Sequence, residues 1–235
     1  MVYMEKITKS FGTNKVLSEV DFVVNEREIF GLLGPSGAGK TTIINILAKQ
    51  LSPDSGKHDI GVQPFEMGLM LDEDGLYGRL TCTENLNLFA DIYGVARSKV
   101  AEVLEVVGLG QANKRPVRKL SQGMRNRLAL ARAIIHSPKV LFLDEPTANL
   151  DPVTARSIHG LIINLRDNGT TVFLTTHNMD EAVNLCDKVA MINRGRIVEY
   201  GEPKEICERH NSFKTVPDLE AVFIKVIEEA KNESN

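Results

Sequence analysis

The sequence predicts an α/β fold: a core built on a mostly parallel sheet, preceded by an antiparallel β-lobe and interrupted by an inserted α-helical subdomain. Three observations predict it. The glycine-rich run GPSGAGKTT, residues 34–42, stands between an apolar strand-like run at 28–33 and a helix-like run at 43–49. Residues 140–143 and 171–175 are nearly continuous apolar or β-branched runs, the mark of strands buried on both faces of a parallel sheet. Between them Asp151 and Pro152 supply a helix N-cap and first helical position, and Asn168-Gly169 a stop, which makes a βαβ unit.

The remaining elements follow in order. Residues 2–7 and 20–24 read as strands separated by the turn-rich FGTNK at 11–15, a first β-lobe. SPDSG at 52–56 reads as a loop and 67–71 as a short strand. Thr81-Cys82-Thr83-Glu84 has capping-box spacing and should start a helix running to about Tyr93; a second, at 98–107, ends at Gly108. These helices form the insertion, placed at 73–135. Residues 188–193 and 196–200 look like a strand pair turned by Arg194-Gly195. In a helical extension at 202–235, Leu219, Val222, Phe223, Val226 and Ile227 fall at helical spacing, open to core packing or to a partner, and the KNESN tail should fray.

At 235 residues the chain exceeds the usual single-core length of ~100–150, so one large domain or two fused lobes are both admitted. No stretch approaches the ~18–20 consecutive apolar residues needed to cross a bilayer, and MVYMEKITKS lacks the apolar core of a signal peptide. A cytosolic chain is expected. The net charge of −3, with both signs interspersed, argues against a general nucleic-acid grip. Cys82, Cys186 and Cys207 are far apart and free of C-x-x-C spacing, so they read as reduced thiols.

Gly34, Gly39, Lys40 and Thr41 meet the pattern G-x-x-x-x-G-K-[ST]. Glycines let backbone N–H groups crowd around a polyphosphate, and the following helix presents its positive N-terminus to the anion. Lys40 supplies a mobile point charge, and the Thr41 hydroxyl can ligate the Mg²⁺ that nucleotides carry. The strand-loop-helix context separates this run from a glycine-rich turn with a surface lysine. Gly34, Pro35, Ser36, Gly37, Ala38, Gly39, Lys40, Thr41 and Thr42 are therefore the predicted triphosphate loop. The loop alone does not separate kinases, GTPases and ATPases.

Asp144 and Glu145 follow a buried strand, at the C-terminal end where open α/β sheets place their ligands. Asp144 suits holding Mg²⁺ through water; Glu145 suits activating the attacking water, a task whose removal typically costs ~10²–10⁴ in rate. A surface acid pair is the plain alternative. His177 follows the next buried strand, which suits contact with a γ-phosphate or orientation of water; a lone histidine is also often structural. His58, His136, His159 and His210 have no such placement.

Leu120-Ser121-Gln122-Gly123-Met124, followed by RNRLALARA, resembles the signature of the ATP-binding cassette ATPases, in an LSxGM form rather than LSGGQ. GPSGAGKTT, VLFLDEP at 140–146, ANLD at 148–151 and His177 stand in that family's order, so the resemblance covers nearly the whole chain. It implies a two-lobed ATPase domain spanning 1–235 on a P-loop NTPase core, which dimerises head to tail around two MgATP, the signature of one subunit completing the site of the other. A physical reading agrees: Ser121 can cap a helix whose N-terminus faces the γ-phosphate, with the Gly123 N–H beside it. The resemblance places Asp151 across the dimer interface and Phe11 at the position of the aromatic that stacks on adenine, where a core aromatic is the alternative.

Two departures from the family pattern stand out. Alignment on LYxRLTxxENL puts Asp72 where the family carries a glutamine that reaches Mg²⁺; a carboxylate can still ligate the ion but cannot donate a hydrogen bond. The connection 56–67 is short against the pattern and is expected to lack a strand or hairpin of the β-lobe. The resemblance further implies a separate integral membrane permease as partner, peripheral placement on the inner face of the cell membrane, and no nucleic acid. Asp72, the LSxGM signature, CDKVAMINRGRIVEYG and LEAVF resemble ATPase subunits of bacterial drug, antibiotic or lantibiotic exporters. The rival readings are a soluble cassette ATPase acting on translation or DNA, and a nucleotide-dependent binding switch.

Overall fold

The computed structural model describes residues 1–71, 75–148, 150–210 and 218–232. The chain forms two compact units, Met1–Gly61 with Phe173–Asn235, and Val62–Val172.

In the first unit, β1 (Val2–Phe11) and β2 (Asn14–Val24) form an antiparallel hairpin, longer than the two predicted runs and turned at Gly12-Thr13. Register shifts interrupt the pairing between Met4 and Ser10. Lys6 and Glu19, at φ 50° and 52°, lie at these irregularities. A third strand, β4 (Ser55–Asp59), pairs with the other edge of β1, so the sheet order is β2-β1-β4. The connection expected to lack a strand thus holds one, and the loop predicted at 52–56 runs into it. Its sequence, SGKHD, is polar and largely exposed; the unpaired edge of β1, not an apolar pattern, makes it a strand.

The five residues of β3 (Ile29–Leu33) are all buried, and the strand pairs in parallel with β8 (Lys188–Asn193). β8 turns through Arg194-Gly195 into antiparallel β9 (Arg196–Gly201), as predicted. Phe22, Phe30 and Phe173 close into a cluster with ring centroids 5.3–5.8 Å apart, each pair contributing about 0.5–1.5 kcal/mol beyond its area burial. Helix α1 (Lys40–Leu47) follows β3. The strand β7 (Thr171–Thr176) carries the chain back from the second unit into the first. Then come α6 (Met179–Leu185), a short helix that the sequence reading missed, and, within the predicted helical extension, α7 (Pro203–Arg209) and α8 (Leu219–Asn232). α8 packs on α6 and α7 and buries Leu219, Val222 and Val226, so its stripe is core.

In the second unit β5 (Met67–Met70) and β6 (Val140–Asp144) pair in parallel, Met67 opposite Val140 through Met70 opposite Leu143. Helices α2 (Cys82–Tyr93), α3 (Ser98–Val106), α4 (Gln122–Ile134) and α5 (Pro152–Asp167) accompany them. The capping box forms as read: Thr81 Oγ1 accepts the Glu84 N–H at 3.2 Å, and the Glu84 carboxylate accepts the Thr81 N–H at 2.8 Å. His136 stacks on Tyr93 at 4.0 Å and its Nε2 lies 3.0 Å from the Met67 carbonyl oxygen, tying α2 to β5. Burial pushes its imidazole pKa down, opposed in part by that carbonyl, which suits a neutral ring donating from Nε2. The two parallel pairs and the helices of 73–135 bear out the α/β class.

Candidate functional site

The buried strand β3 delivers the chain to Gly34, where the glycine-rich loop begins. Gly37 and Gly39 lie at φ 78° and 112°, and Gly39 is the N-cap of α1, so the helix starts at Lys40 rather than near Ile43. Pro35, Ser36 and Gly37 form an exposed crest, while Ala38, Gly39 and Lys40 are buried behind it. The Lys40 ammonium, in a residue only 8% exposed, donates to the carbonyls of Gly34 at 2.6 Å and Pro35 at 3.3 Å. A cation and a helix N-terminus converge on one curve of backbone, the arrangement that binds a polyphosphate. Thr41 is exposed in the first turn and Thr42 is half-buried beside it. The Thr41 hydroxyl is a hard oxygen donor of the kind Mg²⁺ accepts, so the residues present fit the ion.

The loop is braced from behind by contacts that the sequence reading did not find. The Gly195 N–H donates to the Ala38 carbonyl at 3.1 Å, and the Gly195 carbonyl accepts the Ser18 N–H at 2.8 Å. Arg194 and Gly195, at φ 45° and 75°, have the positive φ pair of a type I′ hairpin turn. A Cβ on Gly195 would lie 2.0 Å from the Val16 carbonyl oxygen. Gly195→Ala is therefore expected to cost at least about 1–3 kcal/mol for the backbone conformation alone and to weaken nucleotide binding by moving Ala38. Thermal unfolding and a nucleotide titration check this; a variant unchanged in both would show that the loop does not depend on the turn.

β2 also positions Phe11. Phe11 pairs with Asn14, and Val16, two residues or about 7 Å further along β2, contacts the Gly39 position, where a Cβ would lie 3.3 Å from its carbonyl oxygen. Phe11 is 51% exposed, which removes the core-aromatic alternative. His177, also in this unit, is exposed one residue beyond β7.

In the second unit β6 ends at Asp144, and both Asp144 and Glu145 are half-buried. Glu145 sits at φ 50°, a conformation that costs an ordinary residue roughly 1–2 kcal/mol. Other non-glycine residues in this region lie at sheet irregularities, in turns or after helices, and Arg194, like Glu145, directly follows a buried strand of a parallel pair. A turn closed by the Ala148 N–H on the Glu145 carbonyl at 3.1 Å, with buried Pro146 at its second position, holds it there.

Ser121 caps α4, its Oγ accepting the Met124 N–H at 3.3 Å. Gly123 abuts the start of α5: a Cβ there would lie 3.2 Å from Thr154 Cγ2 and 3.6 Å from Leu150 Cδ2. Asp151 caps α5, accepting the N–H groups of Val153 and Thr154 at 3.1 and 3.0 Å and the Thr154 hydroxyl at 2.6 Å. The Thr154 contacts, the hydroxyl first, hold its carboxyl below the usual range. The charged cap therefore contributes stability above the ordinary aspartate pKa near ~3.9, lost as pH falls through the lowered value. The structure thus brings Ser121, Gly123 and Asp151 together on one exposed edge of this unit. Asp72 and Asn149 lie outside the described residues.

The ABC transporter family model matches residues 17–148. A probable multidrug ABC transporter ATP-binding protein of Escherichia coli (strain K12) is 35% identical over 97% of this chain, which spans 42% of that protein's length. A lantibiotic transport ATP-binding protein of Streptococcus pyogenes is 32% identical over 90% of this chain and 96% of its own. The ATP-binding subunit of an ABC transporter, 22% identical, has the same fold at a TM-score of 0.86 over 97% of this chain and 99% of its own. A dimeric ATP-binding cassette in a post-hydrolysis state with ADP and Pi bound is 26% identical, with a TM-score of 0.77 over 86% of this chain and 98% of its own. A family match across more than half the chain, joined to a relative of nearly equal length at 32% identity, shows that the chain belongs to the ABC transporter family.

Proposed function

We propose that the chain binds and hydrolyses MgATP as the cassette subunit of an exporter whose membrane-spanning part is a separate polypeptide. The observation that carries the reading is the glycine-rich loop with its buried Lys40 ammonium held on the Gly34 and Pro35 carbonyls at the N-terminus of α1. The loop amides and Lys40 bind the phosphates, and Phe11 stacks on the base. Glu145 takes a proton from the attacking water, and His177 orients that water against the γ-phosphate. Thr41, Asp144 and Asp72 would hold Mg²⁺, which when bound neutralises phosphate charge. Across a homodimer, Ser121, Gly123 and the Asp151 segment meet the nucleotide of the partner, a role their shared exposed edge supports. The whole of 1–235 acts as one ATPase domain, with the helical subdomain at 73–135 and the extension at 202–235.

Among the described residues no helix is long and apolar enough to cross a membrane. Relatives that are multidrug and lantibiotic transport ATP-binding proteins support export and a place on the inner face of the cell membrane through the permease. The test is to purify the tagged chain from its native cells in mild detergent, identify stoichiometric partners by mass spectrometry and assay ATP hydrolysis. A co-purifying multi-span membrane protein with ATP turnover is expected. Recovery only with ribosomes or DNA would overturn the exporter reading.

A further inference from the structure

We infer that Lys9, braced by Asp54, is a positioning residue that holds the Phe11 ring as the platform for the nucleobase. The inference rests on the proposal that Phe11 stacks on the base and goes beyond it by naming what fixes the ring. Phe11 is the last residue of β1, is followed by Gly12 at φ 61°, and is half exposed, so packing alone leaves its ring free to rotate. Lys9 supplies the missing restraint: its ammonium lies 5.6 Å from the Phe11 ring centroid, within cation–π range. The lysine is itself fixed. Its side chain is only 14% exposed, and its Nζ donates to Asp54 Oδ1 at 2.9 Å.

Asp54 is anchored twice more, its Oδ2 accepting the Ser10 N–H at 2.6 Å and its own N–H donating to the Thr8 carbonyl at 2.9 Å. The Lys9 hydrogen bond, then that of Ser10, holds the Asp54 carboxyl below the usual range, so the carboxylate is charged at neutral pH. A cation fixed over one face of an exposed ring leaves the other face for a flat, uncharged partner. β2, pairing with β1 beside Phe11, leads to the back of the phosphate loop, which makes that partner the base of the bound nucleotide. The sequence offered no sign of this, because Lys9 and Asp54 meet only when 52–56 folds back along β1.

The full chain and its Phe11→Ala, Lys9→Met, Lys9→Arg and Asp54→Asn variants are titrated with ATP and with inorganic triphosphate, which has no base, and their thermal unfolding is recorded. Phe11→Ala is expected to weaken ATP binding about tenfold or more, and Lys9→Met and Asp54→Asn about three- to tenfold, with triphosphate binding unchanged and Lys9→Arg close to wild type. If Phe11→Ala weakens ATP and Lys9→Met and Asp54→Asn do not, the platform stands and the positioning role is overturned. Equal losses on ATP and triphosphate would also overturn it, because Lys9 would then act on the phosphates or the fold. If Phe11→Ala binds ATP as wild type, the stacking reading itself fails, and the role of Lys9 with it.

Discussion

Glu145→Gln is expected to bind ATP as tightly as the wild type while turnover falls by about two to four orders of magnitude. The substitution keeps the shape of the side chain and the same backbone demand at φ 50°, so the turn through Pro146 and Ala148 persists. Only the capacity to take a proton is lost. Binding rests on the glycine-rich loop, which the change does not touch, so the variant should accumulate in an ATP-bound dimer. Steady-state hydrolysis, equilibrium nucleotide binding and size-exclusion chromatography with ATP read the three quantities separately. A variant hydrolysing at the wild-type rate would remove Glu145 as the activating base and leave its strained backbone without a catalytic reason.

Lys40→Met carries the second large effect, on binding. The methionine keeps the buried apolar stem and removes the ammonium that bridges the Gly34 and Pro35 carbonyls. Two opposing costs nearly cancel in the free chain: the carbonyls lose donors, at about 1–3 kcal/mol for a buried unpaired group, while the desolvation of a buried charge is relieved. Stability should therefore change by less than about 2 kcal/mol. Nucleotide has no such offset, since charge-assisted hydrogen bonds of about 1.5–3 kcal/mol each are lost, and affinity should fall roughly 100-fold or more with no measurable turnover. Thermal unfolding and a nucleotide titration on one preparation distinguish the cases. A collapsed fold would make Lys40 structural, and retained affinity would move the phosphate site elsewhere.

Much of this was legible before any coordinates. The glycine-rich loop, the capping box at Thr81 and Glu84, the Asp151-Pro152 helix start and the apolar strands are written in neighbouring residues, because backbone dihedrals, caps and strand burial are satisfied within a few positions. Ser121 as a helix cap was legible for the same reason. The strand at 55–59 was not, since its polar residues are ordered only by the edge of β1. Nor could the motif at 144–145 reveal that Glu145 is held at a positive φ, which depends on a buried strand ending just before a fixed proline turn. The Gly195 hydrogen bond to Ala38 joins residues far apart in the chain, as do the contacts of Lys9 with Asp54. Sequence alone determined which groups can bind phosphate and move a proton, because that chemistry belongs to residue types at short spacing. What braces the loop and turns Phe11 outward was decided by the tertiary structure, because those restraints exist only where strand pairing brings distant segments within hydrogen-bonding distance.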